Sequence, residues 1–184
     1  MSTQLSGSFS PVHKHEILEA WMGEAVFTVA SDAKPVVATY GCCPCIALGG
    51  YDATNKMAFV VHVTNAKEIE NSGERVLQTI QELAKREMER PIQIHLRGGL
   101  CRMAESEASL SAIKEWTATN GMTIASNETL LPDWESSKDE ETSLRIDSRT
   151  GRVEPYVPCT VRDFFGFDGS LDTIKIAYKP RSIL

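Results

Sequence analysis

The chain has 184 residues, 42% of them apolar, enough for one core without disulfide or metal staples, so a single domain over 1–184 is expected. Nineteen Lys and Arg against 25 Asp and Glu leave a net charge of −6, which speaks against the basic surface that nucleic-acid binding draws on. No apolar run approaches the ~20 residues that cross a bilayer, and the polar N-terminus lacks an apolar secretion segment, so a soluble cytoplasmic chain without membrane insertion is expected.

Residues 1–11 are polar without periodicity and read as a mobile arm. Residues 25–30 and 35–40 are β-branched and aromatic around turn formers at 31–34, which predicts two strands. Residues 45–51 and 57–63 flank the polar connection 52–56 and predict a hairpin. Asn71 followed by Glu74 is a variant of the capping box, ahead of Val76, Leu77, Ile80, Leu83, Ala84 and Met88 at helical spacing, which predicts a helix from Asn71.

A strand over 91–96, ending at Gly98 and Gly99, comes next. A second helix carries Leu110, Ile113 and Trp116 and stops at Asn120 and Gly121. Residues 122–125 read as a short strand and 131–141 as an acidic surface loop. Residues 144–146 and 152–156 bracket a turn at Arg149, Thr150 and Gly151, and 173–178 read as a last strand. About nine short strands and two substantial helices, not in strict alternation, predict an α+β layered sandwich of mixed sheets flanked by helices.

Five cysteines, three of them crowded into Cys42, Cys43 and Cys45, suit thiol chemistry or metal binding better than a disulfide framework. Turning the hairpin about the midpoint of Ala53 and Thr54 sets Cys45 opposite His62, on one face of the sheet. An imidazole beside a thiol favours thiolate and leaves an acid for a departing amine, the chemistry of acyl transfer or amide hydrolysis. Thr39 is read either as plain strand propensity or as the third polar group that orients the imidazole. Gly41 lets the chain approach the site closely, and Pro44 has no N–H to offer an oxyanion.

Thr39, Cys45 and His62, spaced by six and then seventeen, resemble the Thr, Cys and His triad of the CheD-type chemoreceptor glutamine deamidases. The likeness runs from Met22 to Tyr156. It takes in Met22-Gly23-Glu24, Cys45-Ile46-Ala47-Leu48, Tyr51-Asp52, His62-Val63, Gly98-Gly99, Asn120-Gly121, Arg145-Ile146-Asp147 and Thr150-Gly151-Arg152-Val153. Cys42-Cys43-Pro44 stands where the family usually has Leu-Gly-Ser, and residues 157–184 form an extension beyond the resemblance.

The resemblance implies the fold shared with cytotoxic necrotizing factor-like deamidases and a protein-glutamine glutaminase that needs no cofactor. Cys45 would be the nucleophile, His62 the base and then acid, and Thr39 the orienting group. The implied partners are a protein with an accessible glutamine, chemoreceptor-like or another, and a regulatory protein such as the chemotaxis phosphatase that members bind.

Three other readings stand beside this one. Cys42-Cys43-Pro44-Cys45 is a Cys-x-x-Cys that looks like a thiol-disulfide redox motif, although that chemistry wants a helix after its first cysteine. Cys42, Cys45, His62 and Cys101 offer zinc-type ligands without a second spaced pair. A catalytically idle CheD-like binding module is the third. His13 and His15 read as solvated, His95 as a strand-face residue, Gly98 and Gly99 as close backbone packing rather than an anion nest, and Phe164, Phe165 and Phe167 as core.

Overall fold

The computed structural model describes residues 13–84, 90–133, 138, 140–158 and 172–180. The arm at 1–11, Met88 and the Phe164, Phe165 and Phe167 run lie outside the described residues.

Strands β4 (Ile46–Asp52) and β5 (Met57–Val63) are dense in Val, Ile, Leu and Phe, and every residue in both is buried. Strands covered on both faces show a continuous apolar run instead of alternation, which is how these two read. They form the centre of a six-stranded mixed sheet in the order β10-β2-β5-β4-β6-β7. The flanking members are β2 (Glu24–Val29), β6 (Gln93–Leu100), β7 (Thr123–Leu131) and β10 (Lys175–Tyr178).

A second mixed sheet has the order β1-β3-β8-β9, built from β1 (Ile17–Glu19), β3 (Val36–Thr39), β8 (Leu144–Asp147) and β9 (Arg152–Glu154). The strands over 25–30 and 35–40 thus form, but they enter different sheets. The short strand β1 pairs parallel with β3 and carries too few residues for a sequence pattern.

Helices α1 (Ala66–Leu83) and α2 (Ala104–Thr119) cover the other face of the large sheet. Helix α1 begins five residues before the expected Asn71. Its cap is Asn65, whose side chain accepts from the Glu68 N–H at 3.2 Å, so Asn65 and Glu68 form the cap expected of Asn71 and Glu74. Its buried Ile69, Val76, Ile80 and Leu83 recur at helical spacing over the sheet. Gly73 lets the helices close: a Cβ there would lie 2.7 Å from the Trp116 indole. Helix α2 ends as expected, with Gly121 at φ +65° just past its cap, Asn120.

Two mixed sheets and two helices make three layers with an α+β composition. Phe27, Ile46, Leu48, Phe59, Ile94 and Leu96 pack against the helices. Val26, Val37, Ala47, Tyr51, Ala58, Val60, Leu144 and Ile146 fill the space between the sheets, where Cys42 and Cys45 also lie. At Gly49 a Cβ would sit 2.4 Å from Leu144, so the glycine is there to let the second sheet close in, and the β4–β5 pairing has no bulge.

Candidate active site

Strands β3 and β5 bring Thr39 and His62 together between the two sheets, and both are fully buried. The single proton of the Thr39 hydroxyl goes to the Ala20 carbonyl at 3.0 Å. Thr39 Oγ1 therefore acts as acceptor toward His62 Nδ1, 2.8 Å away, which places the ring hydrogen on Nδ1 and the lone pair on Nε2. A general base needs this tautomer. The backbone holds both ends of the relay: the Ala20 N–H donates to Ala38 at 2.8 Å, and the Gly23 N–H donates to the His62 carbonyl at 3.0 Å.

Cys45 does not face His62; Ala47 does. The cause is the turn. Asp52 still pairs with Met57, so the loop holds four residues, 53–56, instead of closing about Ala53 and Thr54. The Asp52 carboxylate shapes it, accepting from the N–H groups of Thr54 at 2.8 Å and Asn55 at 3.1 Å. The partner shifts by two residues, and a shift of two keeps the face. Cys45 stays in the inter-sheet cluster with Ala47, diagonal to His62, a relation of about 7–8 Å where a ladder runs on regularly.

The sulfur nearest the ring belongs to Cys42, 3.6 Å from Nδ1 and 3.7 Å from Nε2. A sulfur nearly equidistant from both nitrogens and lying in the ring plane would collide with Cε1, so this one sits over the ring face. Cys42 is fully buried and packs as a polarizable wall, while Cys45 keeps 9% of its surface exposed.

The chain between the two cysteines is pinned by its carbonyls. The Gly99 N–H donates to those of Cys42 (3.1 Å) and Cys45 (2.8 Å), and the Ser106 hydroxyl donates to that of Pro44 at 2.7 Å. Gly98 has φ +87°, and a Cβ there would lie 2.1 Å from the Cys42 carbonyl oxygen. These glycines therefore serve close packing, with the Gly99 N–H spent on protein carbonyls.

Burial lowers His62 to about 4, leaving the ring neutral. Burial also pushes the Cys45 thiol up to about 12, with the negative charge of Glu68 adding to it, and holds Cys42 well above the ordinary thiol range. The expected thiolate-imidazolium pair is thus corrected to a neutral thiol and a neutral imidazole. Among the described residues no cation offsets the lost water at Cys45, and the Glu68 carboxyl raises the thiol further.

The other flagged residues lie elsewhere. Cys101 donates to the Pro132 carbonyl at 3.4 Å, and His95 Nδ1 pairs with the Ser126 hydroxyl at 2.9 Å. The rings of His13 and His15 stack on each other, 5.4 Å apart. Among the described residues no three His, Cys, Asp or Glu are placed to hold a metal ion. The Cys-x-x-Cys leads into strand β4, so Cys42 does not head a helix as the redox motif requires.

Sequence reasoning missed Glu68, Ser106 and Thr142, whose carbonyl accepts from the Cys42 N–H at 2.9 Å. Only Glu68 carried a readable signal, the Asn65-x-x-Glu68 spacing just after His62. No family model matches the chain, and no curated protein matches it.

Proposed function

We propose that this chain is a cysteine-dependent amidohydrolase that converts a protein glutamine to glutamate, with Cys45 as nucleophile, His62 as base and then acid, and Thr39 as the orienting group. The observation that carries the reading is the Ala20–Thr39–His62 relay, which presents an unprotonated Nε2 on the face shared with Cys45. Because thiol and imidazole are both neutral, the proton leaves Cys45 for Nε2 as the sulfur attacks the amide carbon. The imidazolium then protonates the amide nitrogen as the C–N bond breaks, ammonia leaves, and water activated by the same, now neutral, ring hydrolyses the thioester.

The backbone N–H of Cys45, or of a neighbour other than Pro44, which has none, would donate to the oxyanion. The Thr, Cys and His spacing of the CheD-type deamidases narrows an amide to a protein glutamine. The same resemblance supports that family's layered fold for this chain. A Cys42–Cys45 disulfide exchanger has less support, since both thiols are pushed up and a strand follows them.

Ammonia release and the intact mass of candidate substrates test the proposal. Cys45→Ala and His62→Ala are expected to abolish the mass gain of amide-to-acid conversion. Cys42→Ala should stay within about tenfold of the unsubstituted protein. Activity that survives Cys45→Ala, or vanishes only in Cys42→Ala, overturns the assignment.

A further inference from the structure

Ser106 carries a buried hydroxyl on α2 that the reaction above does not use. It accepts from the Leu100 N–H at 3.1 Å, and its one proton goes to the Pro44 carbonyl at 2.7 Å, so its donor role toward Pro44 is fixed. The Gly99 N–H donates to the Cys45 carbonyl at 2.8 Å. Both peptide planes that flank Cys45 are therefore held by their carbonyls, one from α2 and one from β6.

The N–H groups of the same turn are nearly all spent. Cys42 donates to the Thr142 carbonyl and Cys43 to that of Gly41, both at 2.9 Å, while Pro44 has none. Among the described residues no other residue accepts from the Cys45 N–H. Across a planar trans peptide the C=O and the N–H point in opposite directions. With the Pro44 carbonyl drawn to Ser106, the Cys45 N–H is turned away from α2. Docking the helix accounts for a polar contact here. It does not account for a donor placed on the one carbonyl whose peptide carries the N–H of the nucleophile.

We propose that Ser106 is a positioning residue of the Cys45 site: by holding the Pro44 carbonyl it aims the Cys45 N–H at the oxygen that gains charge when the sulfur adds to a carbonyl carbon. This rests on the amidohydrolase reading and names its oxyanion donor. The hydroxyl touches no reacting atom. It acts through the peptide plane alone, so its loss weakens the hold on the oxyanion and leaves nucleophile and base in place.

Two thiol reagents separate aim from access without any protein substrate. With p-nitrophenyl acetate the sulfur adds to the carbonyl, an oxyanion forms, and p-nitrophenolate leaves as the thioester is made. Iodoacetamide alkylates the sulfur by displacing iodide and forms no oxyanion. Exposure and acidity of the thiol act on both rates, so their ratio isolates the oxyanion contact. In Ser106→Ala the acylation-to-alkylation ratio at Cys45, read by peptide mass mapping after acid quench, is expected to fall about tenfold, with no change at Cys101. An equal fall in both rates makes Ser106 a structural tie and overturns the proposal.

Ser106→Cys keeps the shape with a weaker donor and decides if S106A does not fold. Its ratio at Cys45 should fall about threefold, and an unchanged ratio there rejects the assignment. Absence of ammonia release from every substrate defeats the amidohydrolase reading, while the ratio of acylation to alkylation still decides the role of Ser106.

Discussion

The two faces of the six-stranded sheet are both buried but are filled differently. Toward the helices, Phe27, Ile46, Leu48, Phe59, Ile94 and Leu96 meet Ile69, Val76, Ile80 and Ile113. Such side chains each contribute about 1.5–3 kcal/mol through burial alone. Toward the second sheet, smaller residues such as Ala47, Ala58 and Val60 share the space with Thr39, His62, Cys42 and Cys45. A ring with two nitrogens is costly there unless its hydrogen finds an acceptor, and the Thr39 hydroxyl, itself passed on to Ala20, meets that need. The helix face supplies stability that the inter-sheet face spends on holding one imidazole in one tautomer.

The contrast is broken most sharply on the apolar side. Phe59→Ala should cost about 3–5 kcal/mol by chemical denaturation, because the ring is wholly enclosed and stacks on Phe27 at 5.6 Å. It should leave ammonia release by the folded protein within about twofold of the unsubstituted chain; a larger loss would mean the two faces are coupled.

Acid attacks the polar side. His62 is neutral and lowered from 6.5 to about 4 by burial, so between those values the unfolded chain binds protons that the folded chain does not. Stability is full above pH 6.5 and is lost as pH falls toward 4, by about 3 kcal/mol in total. Denaturation at stepped pH checks this, and His62→Gln is expected to flatten the profile.

The finest cut is Thr39→Val, which keeps the shape and removes the acceptor. It leaves the Nδ1 hydrogen and the Ala20 carbonyl unpartnered, at about 1–3 kcal/mol. Ammonia release should fall by about a hundredfold through loss of the tautomer, with substrate affinity little changed. A fall in stability without a fall in rate would make Thr39 a purely structural partner.

Local pattern carried much of the fold. The hairpin of β4 and β5, the end of α2 at Asn120 and Gly121, and the turn at Arg149 to Gly151 each rest on residues close in sequence, as does the apolar stripe of α1. The start of α1 was less legible because Asn65 and Asn71 both stand three residues before a glutamate, and the choice between them depends on where β5 ends. That β2 and β3 enter different sheets, and that β10 runs parallel beside β2, depends on contacts far apart in the chain.

The site divides along the same line. The amino-acid order by itself determined which polar groups the buried strands carry, and that Cys45 and His62 share a face, because strand alternation survives a register shift of two. Tertiary structure alone decided that Ala47 is the residue opposite His62, that Cys42 lies over the ring, and that Thr39 passes its proton to Ala20. Only it decided that the buried Glu68 carboxyl accepts from the Thr64 N–H at the start of α1. Each of those depends on how a four-residue turn closes and how one sheet seats on another, and both are set by packing across the whole molecule.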